Sequence, residues 1–431
     1  MIQLFEYGNW ERVNAKDDLK RLLREIWQQR LFIPEEITRK QDTHYQPFLW
    51  FDDDLVKARN YVGFVQTESD LIEIYPKVFD GKTNDKQLML RHIFYWFSYC
   101  RKWRFPFNQV SLDIKEIDSF PELIIHLIAN QFLETVTQQP LMRFQEVSES
   151  MQTPRGSINF GRYVSNSLSK GNFHQIECDY EPFLFDNKVN RIIKYCTRLL
   201  LDQTRFAEAQ SKLQEVIFVL DEVEDIYVSS QDIKSVQLNS FFVDYVQVMD
   251  TCGLVINQQL YSNQQYDMSQ WCLLFPMEYI FEDFVAGFLD THFSDQWKVK
   301  YQKSDMTLVS NPAVFTMQHD IFLTSRDGLN RQIIIDTKYK IREIEDSKQG
   351  VSQSDLYQVV SYAYRRGCKE VVLIYPNKNE QSLPMDIFEI ESGFPGKEVI
   401  MVKLVEIPFW SSEIGTLENK LKTSLKNILT R

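Results

Sequence analysis

MQHDIFLTSRDGLNRQIIIDTKYK, residues 317–340, decides how the carboxy-terminal part of this chain folds. HDIFLTS reads as one strand and RQIIIDTKYK as a second. Between them SRDGLN reads as a turn, with Asp327-Gly328 its strongest signal, so the pair is expected to form an antiparallel hairpin. Asp336 and Lys338 stand two apart on the second strand, and an extended chain turns residues at that spacing to one face. The run Ile333 to Ile335 before them marks a central strand with both faces covered. A carboxylate and a lysine after such a run are costly to bury unless paired or used.

Asp320 on the first strand would bring a second carboxylate to the same end of the hairpin. Asp320 and Asp336 are hard oxygen ligands suited to Mg²⁺, and the backbone carbonyl of Thr337 between Asp336 and Lys338 is a further ligand candidate. Such a metal lowers the pKa of a water and neutralises phosphate charge, while Lys338 orients or helps deprotonate that water. The set suits phosphodiester hydrolysis. The spacing alone is a weak signal, and a structural salt bridge competes with it. Context sharpens the reading, because the hairpin follows a helix bearing Glu282 and precedes one bearing Gln358.

Working outward, the region from Met268 opens with a helix, PMEYIFEDFVAGFLDTHF (276–293), then alternates strand and helix, and is expected to be α/β. Residues 1–80 read as strand-rich, with YVGFVQTESDLIEIYPK (61–77) as two strands around a polar turn and residues 15–30 as an amphipathic helix. Residues 81–265 read as mainly helical. They include LMLRHIFYWFSYC (88–100), a helix opening at Pro121, and a helix ending the stretch 180–201. His126 lies in an apolar run and reads as a satisfied core histidine. Three regions result: 1–80, 81–265 and 266–431, the last being the catalytic one.

The 431 residues exceed one ordinary core. The 31 Phe and 20 Tyr supply ample buried area, and with only 14 Gly and 14 Pro, long disordered linkers are not expected. The net charge of −12 argues against a protein that holds nucleic acid by its own basic surface. Cys100, Cys178, Cys196, Cys252, Cys272 and Cys368 form no CxxC pair and read as free thiols rather than a zinc site. The amino terminus lacks a signal pattern and no stretch has the length of a membrane span, so the protein reads as cytoplasmic. No phosphate-binding loop is present. Gly81-Lys82-Thr83 has Pro76 where a Gly is needed, and Gly396-Lys397 has Glu391 there, so nucleotide hydrolysis by this chain is not expected.

The helix–hairpin–helix order around Asp320, Asp336 and Lys338 resembles the core of the PD-(D/E)xK nucleases. The chain as a whole resembles the McrC family, nuclease subunits of McrBC-type, 5-methylcytosine-dependent restriction systems. The resemblance runs through LIEIYPKVFDG (71–81), RGSINF (155–160) and YEPFLFDNKVNRIIKY (180–195). It continues through YIFEDFVAGFL (279–289), IIIDTKYK (333–340) and SQSDLYQVVSYA (352–363). One departure is His319, where the family pattern has Pro before the first Asp; His319 is also a minor metal-ligand candidate.

The resemblance implies an α/β PD-(D/E)xK domain, a mixed sheet flanked by helices, preceded by an α+β amino-terminal region. It implies a type IV restriction endonuclease subunit that uses Mg²⁺, cuts methylated double-stranded DNA and involves no membrane. Its partner would be a separate McrB-like AAA+ GTPase ring, docked and stimulated by residues 1–80 and 81–265. Glu282 would assist the metal, with Glu278 one turn earlier as competitor and a solvated acidic face as the alternative for both. Gln358, with Tyr362 on the same helix face, would reach the active site or the DNA backbone. Arg155, Arg162 and Asn190 are candidates for coupling, with packing or surface roles as alternatives. Two rival readings are a non-catalytic activator of a ring NTPase with a relict nuclease fold, and a standalone DNA-repair nuclease.

Overall fold

A computed structural model describes residues 1–14, 16–29, 46–67, 69–101, 117, 119–239, 241–259, 271–328, 330–342, 348–380, 383–391 and 399–430. They form two compact units, Met1–Phe120 with Ser269–Arg431, and Pro121–Met268. The boundary read near residue 265 lies outside the described residues.

The first unit contains two larger sheets. In the amino-terminal one, β1 (Ile2–Phe5), β2 (Tyr61–Gln66), β3 (Leu71–Tyr75) and β4 (Trp271–Pro276) take the order β1-β3-β2-β4. β1 runs parallel to β3, and the other pairs are antiparallel. Residues 1–80 therefore share a sheet with a strand from the carboxy-terminal region. Gly63 makes the β2–β4 pairing possible: its φ is +137°, and a Cβ there would lie 1.9 Å from the Leu273 carbonyl oxygen.

The second sheet is mixed. β5 (Trp297–Val309), β6 (Val314–Ser325), β7 (Gln332–Thr337), β8 (Glu370–Asn377), β9 (Asp386–Glu391) and β10 (Val399–Pro408) take the order β5-β6-β7-β8-β10-β9. β7–β8 and β8–β10 are parallel pairs, and the remaining pairs are antiparallel. The central strands are nearly continuous apolar runs, as strands covered on both faces must be, and Ile333, Ile334 and Ile335 are all buried. Edge strand β9, DIFEIE, alternates half-buried with exposed residues, as a one-sided strand does. The expected hairpin is β6–β7, turning at Gly328 with φ +84°.

Besides the helix Lys16–Gln29, the described residues of this unit include four helices: α1 (Lys86–Tyr99), α2 (Met277–Phe293), α3 (Gln353–Arg366) and α4 (Ile414–Thr430). α3 is the crossover between the parallel strands β7 and β8. Ser352 caps it by accepting from the Asp355 N–H, and Gly367 ends it with φ +67°. α1 and α2 approach closely because Gly287 has no Cβ, which would lie 1.9 Å from the Tyr99 carbonyl oxygen.

The second unit is largely helical. Asn187 caps the helix Lys188–Gln203, whose apolar face buries Ile192, Ile193, Leu199 and Leu200. A three-stranded sheet places Ile176–Tyr180 between Val147–Met151 and Ser157–Ile158. His126 is buried on the helix Phe120–Gln138, 3.2 Å from the Asn130 amide and edge-on to Phe206. All six cysteines are buried free thiols. Among the described residues, no helix is long and apolar enough to cross a membrane.

Candidate active site

The β6–β7 ladder runs as far as the Ile321–Ile335 pair, and one step further along the register stand Asp320 and Asp336. There the ladder changes character. The Thr337 N–H donates to the Asp320 carboxylate (2.8 Å), and the Thr337 hydroxyl donates to the same oxygen (2.9 Å). The next amide turns the other way, from Lys338 to the Ile374 carbonyl of β8 (2.8 Å). In an extended strand a residue's N–H and C=O point to the same side, so the Thr337 carbonyl belongs on the Asp320 side.

Asp336 is 2% exposed and forms an ion pair of 2.6 Å with the Lys338 ammonium. Burial, then the Asp320 charge, raises the Asp336 carboxyl from its ordinary 3.8 to about 7, with Lys338 offsetting part of the rise. Burial works against the Lys338 charge, but Asp336, Asp320 and Asp355 together outweigh it and hold the ammonium above its ordinary value. Two carboxylates facing one cation in a dry spot leave negative charge in excess, which a hard divalent cation would neutralise.

α3 supplies a further carboxylate, Asp355, from its first turn. Asp355 lies 4.0 Å from the Lys338 ammonium and 2.9 Å from that of Lys340. Burial pushes its carboxyl up, but the Lys340 and Ser352 hydrogen bonds and the Lys338 charge leave it below the usual range. Its spacing from the helix cap is a local signal. Its place beside Lys338 depends on the crossover and has no local signal.

The other candidates are placed differently. Glu282, on α2, accepts from the Gln302 amide at 3.1 Å. The pairs Tyr301–Ile321 and Lys303–His319 bracket Gln302 opposite Asp320. Glu282 thus meets β5 at the residue opposite Asp320, and among the described residues no three ligating side chains gather as a metal cluster. Glu278 is exposed, and its charge acts on Glu6, Lys77 and Tyr339 instead. Exposed Gln358 donates to the Tyr362 hydroxyl (3.0 Å), one turn along α3 from Asp355. His319 is buried, stacked on Tyr362 at 4.8 Å and accepting from Arg366 at 3.0 Å, which ties it to α3.

In the second unit, Asn190 is fully buried and donates to the carbonyls of Leu141 (3.0 Å) and Phe185 (2.8 Å), a packing role. Arg155 lies over the Tyr180 ring, and Arg162 pairs with Glu177 at 3.4 Å.

The sequence profile of the McrBC 5-methylcytosine restriction system components matches residues 56–376. No curated protein matches the sequence significantly. Among solved structures, one similar chain belongs to the half-complex from a tetradecameric assembly of Thermococcus gammatolerans McrB AAA+ hexamers with bound McrC. It is 16% identical with a TM-score of 0.70, and the match covers 99% of each chain. A second belongs to the Thermococcus gammatolerans McrBC complex, at 18% identity and TM-score 0.51. That match covers 67% of this chain and 86% of the other. The mixed α/β fold described above is shared over nearly the whole length of the first of these chains.

Proposed function

The chain belongs to the McrBC 5-methylcytosine restriction system family, and we propose that it is the endonuclease subunit of such a system, with Asp320, Asp336 and Lys338 as its catalytic set. The observation that carries this reading is the meeting of Asp320 and Asp336 at the end of a central hairpin with Lys338 at 2.6 Å from Asp336. A structural salt bridge needs one carboxylate; the second raises the cost of the first. The order α2, β5–β6–β7, α3, β8 around the site supports a PD-(D/E)xK core.

The residues present fit Mg²⁺. Asp320, Asp336 and the Thr337 carbonyl would hold it, with water completing the shell, as this ion prefers. Bound there, Mg²⁺ supplies acidity to a water and neutralises charge on the scissile phosphate. Lys338 orients the attacking water toward phosphorus and donates to the phosphate oxygens as their charge grows. Thr337 keeps Asp320 in place through two hydrogen bonds. Glu282, held by Gln302, would assist the metal, and exposed Gln358 would reach the active site or the DNA backbone.

The partner is a McrB-like AAA+ GTPase ring, in keeping with the assembly in which the similar Thermococcus chain was solved. That partner supplies GTP hydrolysis and most of the affinity for methylated double-stranded DNA. A chain of net charge −12 is suited to borrowing affinity in this way.

The test is cleavage of methylated plasmid with Mg²⁺, GTP and the cognate GTPase, comparing wild type with Asp336→Ala and Lys338→Ala. Both variants are expected to lose cutting while still stimulating GTP hydrolysis. Undiminished cutting would place the active site elsewhere. A wild type that stimulates but never cuts would favour the non-catalytic activator.

A further inference from the structure

The chain leaves β7 through a very tight turn. The Lys340 N–H donates to the Lys338 carbonyl at 2.7 Å, closing a three-residue turn centred on Tyr339. The two lysines that flank this turn are the ones that reach Asp355, so its geometry sets where Lys338 points.

Tyr339 is held from outside the sheet. The Lys77 ammonium donates to its carbonyl at 2.7 Å and lies 4.0 Å from the centroid of its ring. The Tyr339 hydroxyl donates to Glu6 Oε2 at 2.6 Å, and the same oxygen accepts from the Lys77 N–H at 3.1 Å. Glu6 and Tyr339 are 1% and 4% exposed. Phe281 and Phe409 pack on the ring, so Tyr339 cannot move alone. Glu6 directly follows β1 and Lys77 lies just beyond β3, and these two strands are parallel neighbours. Their ends present one anion and one cation together to a single residue of the active-site turn.

We propose that Lys77 and Glu6 are positioning residues for the nuclease site, gripping Tyr339 at both ends so that Lys338 is presented to Asp336 and Asp355. The inference rests on the assignment of Lys338 given above. It also accounts for the Tyr75-Pro76-Lys77 stretch, which brings the ammonium to the turn. With that ammonium lost, the Tyr339 carbonyl is a buried acceptor without its donor, and the turn is free to relax. A misplacement on the order of 1 Å at a catalytic group costs about 100-fold in rate.

The experiment uses the full chain in complex with its GTPase and methylated plasmid at saturating Mg²⁺, comparing wild type with Lys77→Met, Tyr339→Phe and Lys338→Ala. Two readouts are taken: the single-turnover cutting rate across DNA concentrations, and hydrogen exchange along the chain. Lys77→Met is expected to cut about 10- to 100-fold more slowly at saturating DNA. The half-saturating DNA concentration stays constant, and exchange rises at the amides of Lys338 and Lys340. Tyr339→Phe is expected to do the same to a lesser degree. Wild-type rate and exchange in both variants, with Lys338→Ala inactive, would overturn the positioning role and leave the site assignment standing. Wild-type cutting by Lys338→Ala would overturn both. If Lys77→Met raises exchange throughout the chain, Tyr339→Phe decides by the same readouts.

Discussion

One oxygen of Asp320 accepts two hydrogen bonds from Thr337, one from its N–H at 2.8 Å and one from its hydroxyl at 2.9 Å. A side chain thereby takes a strand amide at the point where the hairpin opens. Thr337 thus becomes the residue that aims the Asp320 carboxylate. Thr337→Val removes the hydroxyl and preserves shape and N–H. Cutting is expected to slow about tenfold, equivalent to about 1.4 kcal/mol, with the unfolding midpoint little changed. Rates equal to wild type in a single-turnover assay would show that the amide alone aims Asp320.

If Asp320 and Asp336 hold Mg²⁺, the folded protein should gain stability from the ion. The gain expected is about 2.7 kcal/mol at one hundred times the dissociation constant, read by denaturant titration with and without the metal. Asp336→Asn should remove the gain. Without metal the same variant should be no less stable than wild type, because it removes a buried charge facing Asp320. An undiminished Mg²⁺ effect in Asp336→Asn would move the ion to another place.

Asp355 touches two lysines of very different standing. Lys338 is largely covered, with its side chain 16% exposed, whereas that of Lys340 is 56% exposed. Exposed pairs contribute little, so Lys340→Met should leave cutting nearly intact. Asp355→Asn, which frees Lys338 on one side, should slow it about tenfold or more. Equal effects of the two variants would assign the importance of Asp355 to Lys340 instead.

Glu6 makes stability depend on pH. Burial, opposed in part by the Lys77 charge, raises its carboxyl from 4.5 to about 7. The folded state thus holds the proton more tightly than the unfolded chain. Its contribution is fully present below about 4.5 and is lost as pH rises through about 7. The loss is on the order of 3 kcal/mol. Glu6→Gln should flatten this part of the profile and be the more stable protein at pH 8, measured by urea unfolding at pH 5 and pH 8. A variant that keeps the wild-type slope would show that another group carries it.

Much of the candidate site is legible in the sequence. The Asp327-Gly328 turn, the isoleucine run and the two-residue spacing of Asp336 and Lys338 are local properties, and the ion pair at 2.6 Å follows from them. The helix at Met277–Phe293 and the helical second unit are legible for the same reason. Glu282 is harder to place. A helical position says which face a side chain is on, but not that it meets Gln302 of β5. Lys338 reads as strand, yet β7 ends at Thr337, because the amide–carbonyl bond of Lys340 to Lys338 turns the chain at once.

The sequence by itself determined the hairpin, the placing of Asp320, Asp336 and Lys338 on it, the order of helices around it and the lack of a phosphate-binding loop. These depend on residues within a few positions of one another, where backbone geometry leaves few choices. Only the tertiary structure decided that Trp271–Pro276 returns to pair with Tyr61–Gln66, joining the two ends of the chain in one unit. It alone brought Asp355 to Lys338, and Lys77 and Glu6 to Tyr339. Closing a long loop costs only slowly more with its length. The choice of distant partner therefore rests on which surfaces fit and which buried charges find a counterpart, and local pattern does not record that.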